Sequence, residues 1–152
     1  MADATEQELL EDLLDRVADA LDLDCEIEVV EEDGELRGTL HGADLGLFIG
    51  RHGQTIDAVQ HLAQRMLAAA AGEPRRVVID AEGYRARRQE ALERQADEAA
   101  DEAVRTGSPV TLDAMTAPER RLVHEYLRDR PDVDTHSEGE EPDRHLVVEP
   151  AR

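Results

Sequence analysis

The stretch "GLFIGRHGQT", Gly46 to Thr55, joins a short apolar segment to a new helical pattern through a glycine, two bases and a second glycine. Glycines at 50 and 53 leave the backbone between them free to take positive φ angles and remove side chains that would hold a ligand away. The helix beginning near Gln54 directs its unpaired N–H groups and the positive end of its dipole at the same spot. An anion is favoured there. Arg51 adds a forked donor suited to phosphate oxygens, and His52 a donor whose charge follows pH. Read in isolation, the four residues are also a plain helix–helix turn with exposed bases.

On either side the pattern extends into a small α+β unit. "EQELLEDLLDRVADAL" places Leu9, Leu10, Leu13, Leu14, Val17 and Leu21 on one helical face. "CEIEVVEEDGELRGTLHG" alternates apolar and polar residues around Asp33-Gly34, which predicts two antiparallel strands, about 26–31 and 35–40. "ADLGLFI" reads as a short helix ending at Gly50. "QTIDAVQHLAQRMLAAAA" reads as a longer one, with Ile56, Val59, Leu62, Ala63, Met66 and Leu67 at helical spacing, ended by Gly72 and Pro74. "RRVVIDA" is a third strand, giving the order helix, strand, strand, helix, helix, strand for residues 4–81.

After Gly83, "YRARRQEALERQADEAADEAVRTG" is rich in strong helix formers and shows no wide apolar stripe, so it reads as a solvated connecting helix. "SPVTLDAM" reads as a strand, "APERRLVHEYLRDRP" as a helix opened by Pro118 and closed by Pro131, and "DVDTHSEGEEPDRHLVVEP" as two strands around a polar turn. These elements form a second compact unit over about 108–150. No repeat relates the two units.

The charge is unevenly spread. The 152 residues carry a net charge of -20, and all 17 Lys+Arg residues are arginine. Residues 1–35 hold 15 acids against one base, whereas residues 36–94 hold nine bases against seven acids. A chain so acidic repels nucleic acid at long range, so any contact with a phosphate backbone must be local. No apolar run approaches the roughly 20 residues that cross a membrane, and "MADATEQELLEDLL" carries acids where a secretory signal needs bases. The expectation is a cytoplasmic protein without membrane insertion. Cys25, the single cysteine, reads as a small packing hydrophobe.

"LGLFIGRHGQTIDAVQHL" resembles the core of a KH domain, in which a Gly-x-x-Gly loop joins two helices below an apolar groove. The element order resembles the type II, bacterial form. "APERRLVHEYLRD" with "THSEGEEPDRHLVV" resembles the domain named for Arg, three residues, then His (R-three-H), the two being Arg120 and His124. The succession KH, "GYRARR" helix, R-three-H is similar to the bacterial Jag family, also called KhpB or SpoIIIJ-associated. The resemblance implies a KH domain over 1–81, a connecting helix over 82–107 and an R-three-H domain with a three-stranded sheet over 108–152. Many Jag proteins carry a further domain ahead of the KH domain, and functions tied to that domain are not expected here.

The family implies a regulator that holds single-stranded RNA, or single-stranded DNA, in a role linked to cell elongation and envelope biogenesis. It also implies association with a KH-only partner protein; the oligomeric state is left open. The implied RNA contacts are Gly50, Arg51, His52, Gly53 and Gln54, with bases lying against Ile49, Ile56 and Val59 and against Arg76 or Val78. Of these, Ile56 reads better as core than as a base contact. A KH groove needs no stacking aromatics, which suits a chain with 2% aromatic residues. In the second unit Arg120, His124 and Arg121 are the expected nucleic-acid face, joined by Arg128, Arg130, Arg144 and His145. Glu119, Glu125 and Asp129 support the rival reading of an ordinary salt-bridged helix. Arg85, Arg87 and Arg88 either extend the phosphate path or pair with Glu90 and Glu93. "SEGEEP" lacks the spacing of a calcium loop and reads as a polar turn.

No nucleophile elbow, P-loop lysine, HExxH or Cys/His metal cluster is present in the sequence. The expectation is a binding protein with no cofactor, metal or catalytic residue. Its alternative is an adaptor in cell-envelope assembly that docks protein partners and touches nucleic acid only incidentally.

Overall fold

The computed structural model describes residues 4–152; the start of the expected KH domain at residues 1–3 lies outside them. Two compact units divide the chain, the first running to Arg85 and the second from Ala86 to Arg152.

In the first unit, helix α1 (Glu6–Ala20) opens with Thr5 as its cap. The Glu8 N–H donates to Thr5 Oγ1 at 3.2 Å, and the Thr5 N–H donates back to the Glu8 carboxylate at 2.7 Å. The Thr5 backbone N–H and, after it, the Thr5 hydroxyl hold the Glu8 carboxylate below its usual range. Strands β1 (Glu26–Glu32) and β2 (Glu35–His41) pair antiparallel around Asp33-Gly34, and β3 (Arg76–Ala81) pairs parallel to β2, in the order β1-β2-β3. Between β2 and β3 come α2 (Gly46–Ile49), a 3-10 turn (Arg51–Gly53) and α3 (Gln54–Ala71). This is the expected αββααβ order. The apolar faces of α1 and α3 meet one face of the sheet, burying Leu10, Leu14, Leu36, Leu40, Phe48, Ile56, Leu67, Val77 and Ile79. Arg75 fastens the edge of this core, donating to Glu6 at 2.6 Å, to Glu31 at 2.8 Å and to the Gly34 carbonyl.

Helix α4 (Tyr84–Thr106) begins at the end of the first unit and supplies much of the second core. Strand β4 (Val110–Thr111), helix α5 (Ala117–Leu127), and strands β5 (Val133–Glu138) and β6 (His145–Pro150) complete that unit, in an antiparallel sheet ordered β4-β6-β5. The strand expected over 108–115 shrinks to two residues; Pro109, with no N–H to pair, accounts for its late start. Beyond it, only single bonds from Leu112 N to Leu146 O (2.9 Å) and Met115 N to Arg144 O (3.2 Å) keep the chain beside β6.

The solvated connector is corrected by the structure. Leu92, Ala96, Ala99, Ala100 and Ala103 are buried, together with Met115, Val123, Leu127, Val133, Leu146 and Val148. Alanine contributes little hydrophobicity per residue, so its stripe passes for solvent-facing helix former. Its small side chain nevertheless packs inside a core as readily as on a surface. Three ion pairs reinforce the arrangement: Arg88 Nε to Glu119 at 2.8 Å, and Arg130 to Asp101 at 2.9 Å and to Asp132 at 2.8 Å.

Leu92→Ala is expected to cost about 2–5 kcal/mol in urea unfolding, against at most about 0.5 kcal/mol for Val104→Ala on the exposed side of α4. Equal, small effects would return α4 to the role of connector. Arg130 holds the Asp132 carboxyl below its ordinary range, mainly through their hydrogen bond. With a folded pKa below the unfolded one, the contribution is present above the ordinary carboxylate range and is lost as pH falls through the folded value. Asp132→Asn should flatten that part of the acid limb of a melting-temperature profile.

Candidate nucleic-acid interface

The 50–53 loop owes its shape to backbone that only glycine tolerates at two of its four positions. Gly50 sits at φ 72, ψ 179, a region essentially restricted to glycine, and a Cβ there would collide with the Thr55 hydroxyl. His52 and Gly53 are both left-handed, at φ 54 and φ 77. A Cβ on Gly53 would lie 2.7 Å from the Tyr84 phenol oxygen. The turn closes with Gly53 N donating to Gly50 O at 3.3 Å. Gly53 is buried, while the Arg51 and His52 side chains on either side of the bend stay exposed.

No side chain caps α3, so the free N–H groups of its first turn have no local side-chain acceptor. The one acid in that turn, Asp57, is held by Arg85 at 2.9 Å. Arg85 also donates to the Ile79 carbonyl at 2.7 Å and to Gln60 at 3.0 Å. It is committed to these partners, and its pairing with Asp57 replaces the expected choice between a phosphate path and Glu90 or Glu93. An anion approaching α3 therefore meets free N–H donors, two exposed bases and a carboxylate already partnered.

Gln54 is exposed and Ile49 half-buried beside the loop. Ile56 is a correction: it is fully buried in the first core and presents no surface to a base. Val59 is buried too, at 8% exposure. Arg76 is a second correction. Gln60 bonds Ile79 and Gln64 bonds Val77, so β3 runs back along α3 from the Asp33-Gly34 turn, where Arg76 pairs with Glu35 in register, toward the head of α3. At about 1.5 Å per helical residue, Gln64 is already about 16 Å along α3 from Gly53, and Arg76 lies beyond it, paired with Glu35 at 3.2 Å. Sequence reasoning passed over Leu47, 66% exposed in α2 beside the loop. It also passed over Tyr84, whose only signal was its place in "GYRARR".

In the second unit Arg120 turns inward. It is 8% exposed, donating to the Met115 carbonyl and the Glu141 carboxylate, both at 2.7 Å. As the third correction, its guanidinium is spent on pinning the β5–β6 turn to the start of α5. His124 is exposed and hydrogen-bonds Thr135 Oγ1 on β5 through Nδ1. Arg121 is exposed and pairs with Glu125 at 3.0 Å. Arg144 donates to the Gly139 carbonyl at 2.7 Å, and Arg130 is engaged with Asp101 and Asp132. Of the expected basic face, Arg121, His124 and Arg128 keep exposed side chains. Beside them Ala117, Pro118, Leu122 and Tyr126 line an open groove of about 760 Å³ with Gln89 and Glu93. The Tyr126 hydroxyl donates to Asp97 at 2.8 Å, which pushes its phenol pKa up.

Among the described residues, no group of three or more His, Cys, Asp or Glu is placed to hold a metal ion, and no helix is long and apolar enough to cross a membrane.

Comparison with known proteins follows the same division. The KhpA/KhpB KH domain matches residues 7–79 and the R-three-H domain residues 90–150. The RNA-binding protein KhpB of Clostridium symbiosum is 37% identical over 151 residues, covering 95% of this chain and 68% of that protein. The protein of the same name from Bacillus subtilis is 33% identical over 137 residues, covering 89% and 66%. That of Lactiplantibacillus plantarum is 44% identical over 103 residues, covering 68% of this chain and only 32% of that relative. The matched part thus spans from about a third to about two thirds of the length of these relatives. A glycine-bounded loop at the head of α3, an αββααβ unit around it and a following R-three-H unit coincide with similarity along almost the whole chain, which belongs to the KhpB family.

Proposed function

We propose that this protein holds single-stranded RNA, with the Gly50–Gly53 loop gripping the sugar-phosphate backbone and Arg121 and His124 offering a second, weaker contact. The observation that carries the reading is the uncapped start of α3 behind a loop whose only outward side chains are Arg51 and His52. Loops of this kind clamp about four backbone nucleotides. Gly50, Gly53 and Gln54 supply the close approach, Arg51 and His52 the charge, and Ile49 the apolar edge for a base. Single-stranded DNA meets the same phosphate chemistry. Two short sites on one chain gain by avidity what each lacks alone. The role proposed is post-transcriptional regulation in the cytoplasm, serving cell elongation and envelope biogenesis.

One observation favours a protein partner as well. Leu62 and Met66, four residues apart on α3, are 48% and 38% exposed. An apolar pair on a helix face suits association with a KH-only protein, and in the adaptor reading that association is the main function.

RNA binding by the Arg51→Asp, His52→Asp double variant, folded by circular dichroism, should be weaker than wild type by more than about tenfold, since each charged hydrogen bond lost is worth about 1.5–3 kcal/mol. The salt dependence of wild-type binding should be shallow, with a slope near about -1.4 for two neutralised phosphates on a single strand. Unchanged binding by the variant would move the main contact to Arg121 and His124. Leu62→Asp should abolish association with a KH-only partner in size-exclusion chromatography while leaving RNA affinity within about twofold. Loss of RNA binding with no loss of the partner would overturn that assignment.

A further inference from the structure

Behind the loop, Tyr84 occupies the place that a side chain on residue 53 would need. A Cβ on Gly53 would lie 2.7 Å from the Tyr84 hydroxyl oxygen, 3.1 Å from Cε1 and 3.2 Å from Cζ. The ring therefore lies directly against the Gly53 backbone. Two features hold it there. Glu82, left-handed at φ 47, turns the chain sharply between β3 and α4, and its carboxylate accepts from the Gly42 N–H at 2.9 Å. Arg85, next in sequence, is bonded to Ile79, Asp57 and Gln60, which fixes the chain at this point against β3 and α3.

We infer that Tyr84 is a positioning residue for the nucleic-acid site: its ring is the floor on which the 50–53 loop holds its left-handed conformation. The inference rests on the reading that this loop carries RNA. Gly53 is the hinge between the loop and α3, and a glycine without a floor samples many backbone conformations. With the ring in place, the space into which Gly53 would relax is filled, and the N–H groups at the start of α3 keep their aim. Without it, only a fraction of molecules present the loop in its binding geometry, and apparent affinity falls by that fraction. Tyr84 needs no contact with RNA to act in this way.

The test compares wild type, Tyr84→Phe, Tyr84→Leu and Tyr84→Ala, with the Arg51→Asp, His52→Asp variant as the loop control. RNA affinity and amide hydrogen exchange of residues 50–55 are measured on the full chain. Tyr84→Phe keeps the ring and should bind within about twofold of wild type, whereas Tyr84→Ala should bind about tenfold or more weakly. Exchange in Tyr84→Ala should quicken at Gly53 and Gln54 while amides of β2 and β3 keep their protection, a pattern that general loss of stability does not produce. Should Tyr84→Ala fail to fold, Tyr84→Leu, which keeps apolar bulk without the flat ring, takes its place with the same expectation. Wild-type affinity and unchanged exchange in the alanine or leucine variant, with binding lost in the loop control, would overturn the inference. If wild type binds no RNA, the proposed function fails, and the exchange pattern alone then decides whether Tyr84 orders the loop.

Discussion

One guanidinium organises the ground on which the candidate site stands. Arg85 reaches the Ile79 carbonyl on β3, Asp57 in the first turn of α3 and Gln60 one turn further on, while its own backbone opens α4. The Gln60 amide oxygen also accepts from the Ile79 N–H at 2.9 Å, so strand and helix share one polar junction at the edge of the core. With that junction in place, α3 has a fixed direction and its uncapped start a fixed aim. The 50–53 loop inherits both. An anion site made of backbone N–H groups has no side chain to adjust, so its quality depends on how rigidly the helix behind it is held.

The same arginine resolves an electrostatic conflict. The chain is strongly acidic, and an unpaired carboxylate in the first turn of α3 would repel the phosphate that the helix dipole attracts. Pairing Asp57 with Arg85 removes most of that opposition and leaves the Arg51 guanidinium and the His52 imidazole as the loop's outward donors. At physiological salt, interactions between exposed charges fade over about 8 Å. A small basic loop can therefore act locally on a protein whose overall field is negative, at the cost of long-range steering.

The second unit solves a different problem, that of building a core with few large side chains. Alanines line the buried side of α4, and Leu92, Met115, Val123 and Leu127 fill the space beside them. Arg120 serves this architecture. Buried against the Met115 carbonyl and Glu141, it ties the polar β5–β6 turn to α5, leaving His124 and Arg121 of the same helix toward solvent. A buried arginine with both ends satisfied is expensive to disturb, because removing its partner strands a charge out of water.

Local signals carried the αββααβ order, the Asp33-Gly34 hairpin, the limits of α3 and the glycine loop, because period, turn chemistry and caps act between residues close in sequence. The elements of the R-three-H unit were legible for the same reason. Burial was legible only where side chains are large: the alanine face of α4 looked solvated because alanine suits surface and core alike. Ile56, Arg76 and Arg120 were assigned by residue type, and type does not say which way a side chain turns once a helix is docked. Tyr84 and Arg85 lie some 30 residues beyond the loop they support, and nothing in local spacing joins them to Gly53 or Asp57. That connection arises only when β3 runs back along α3 and a sharp turn brings Tyr84 and Arg85 to the loop, so it belongs to the folded chain and to long-range packing.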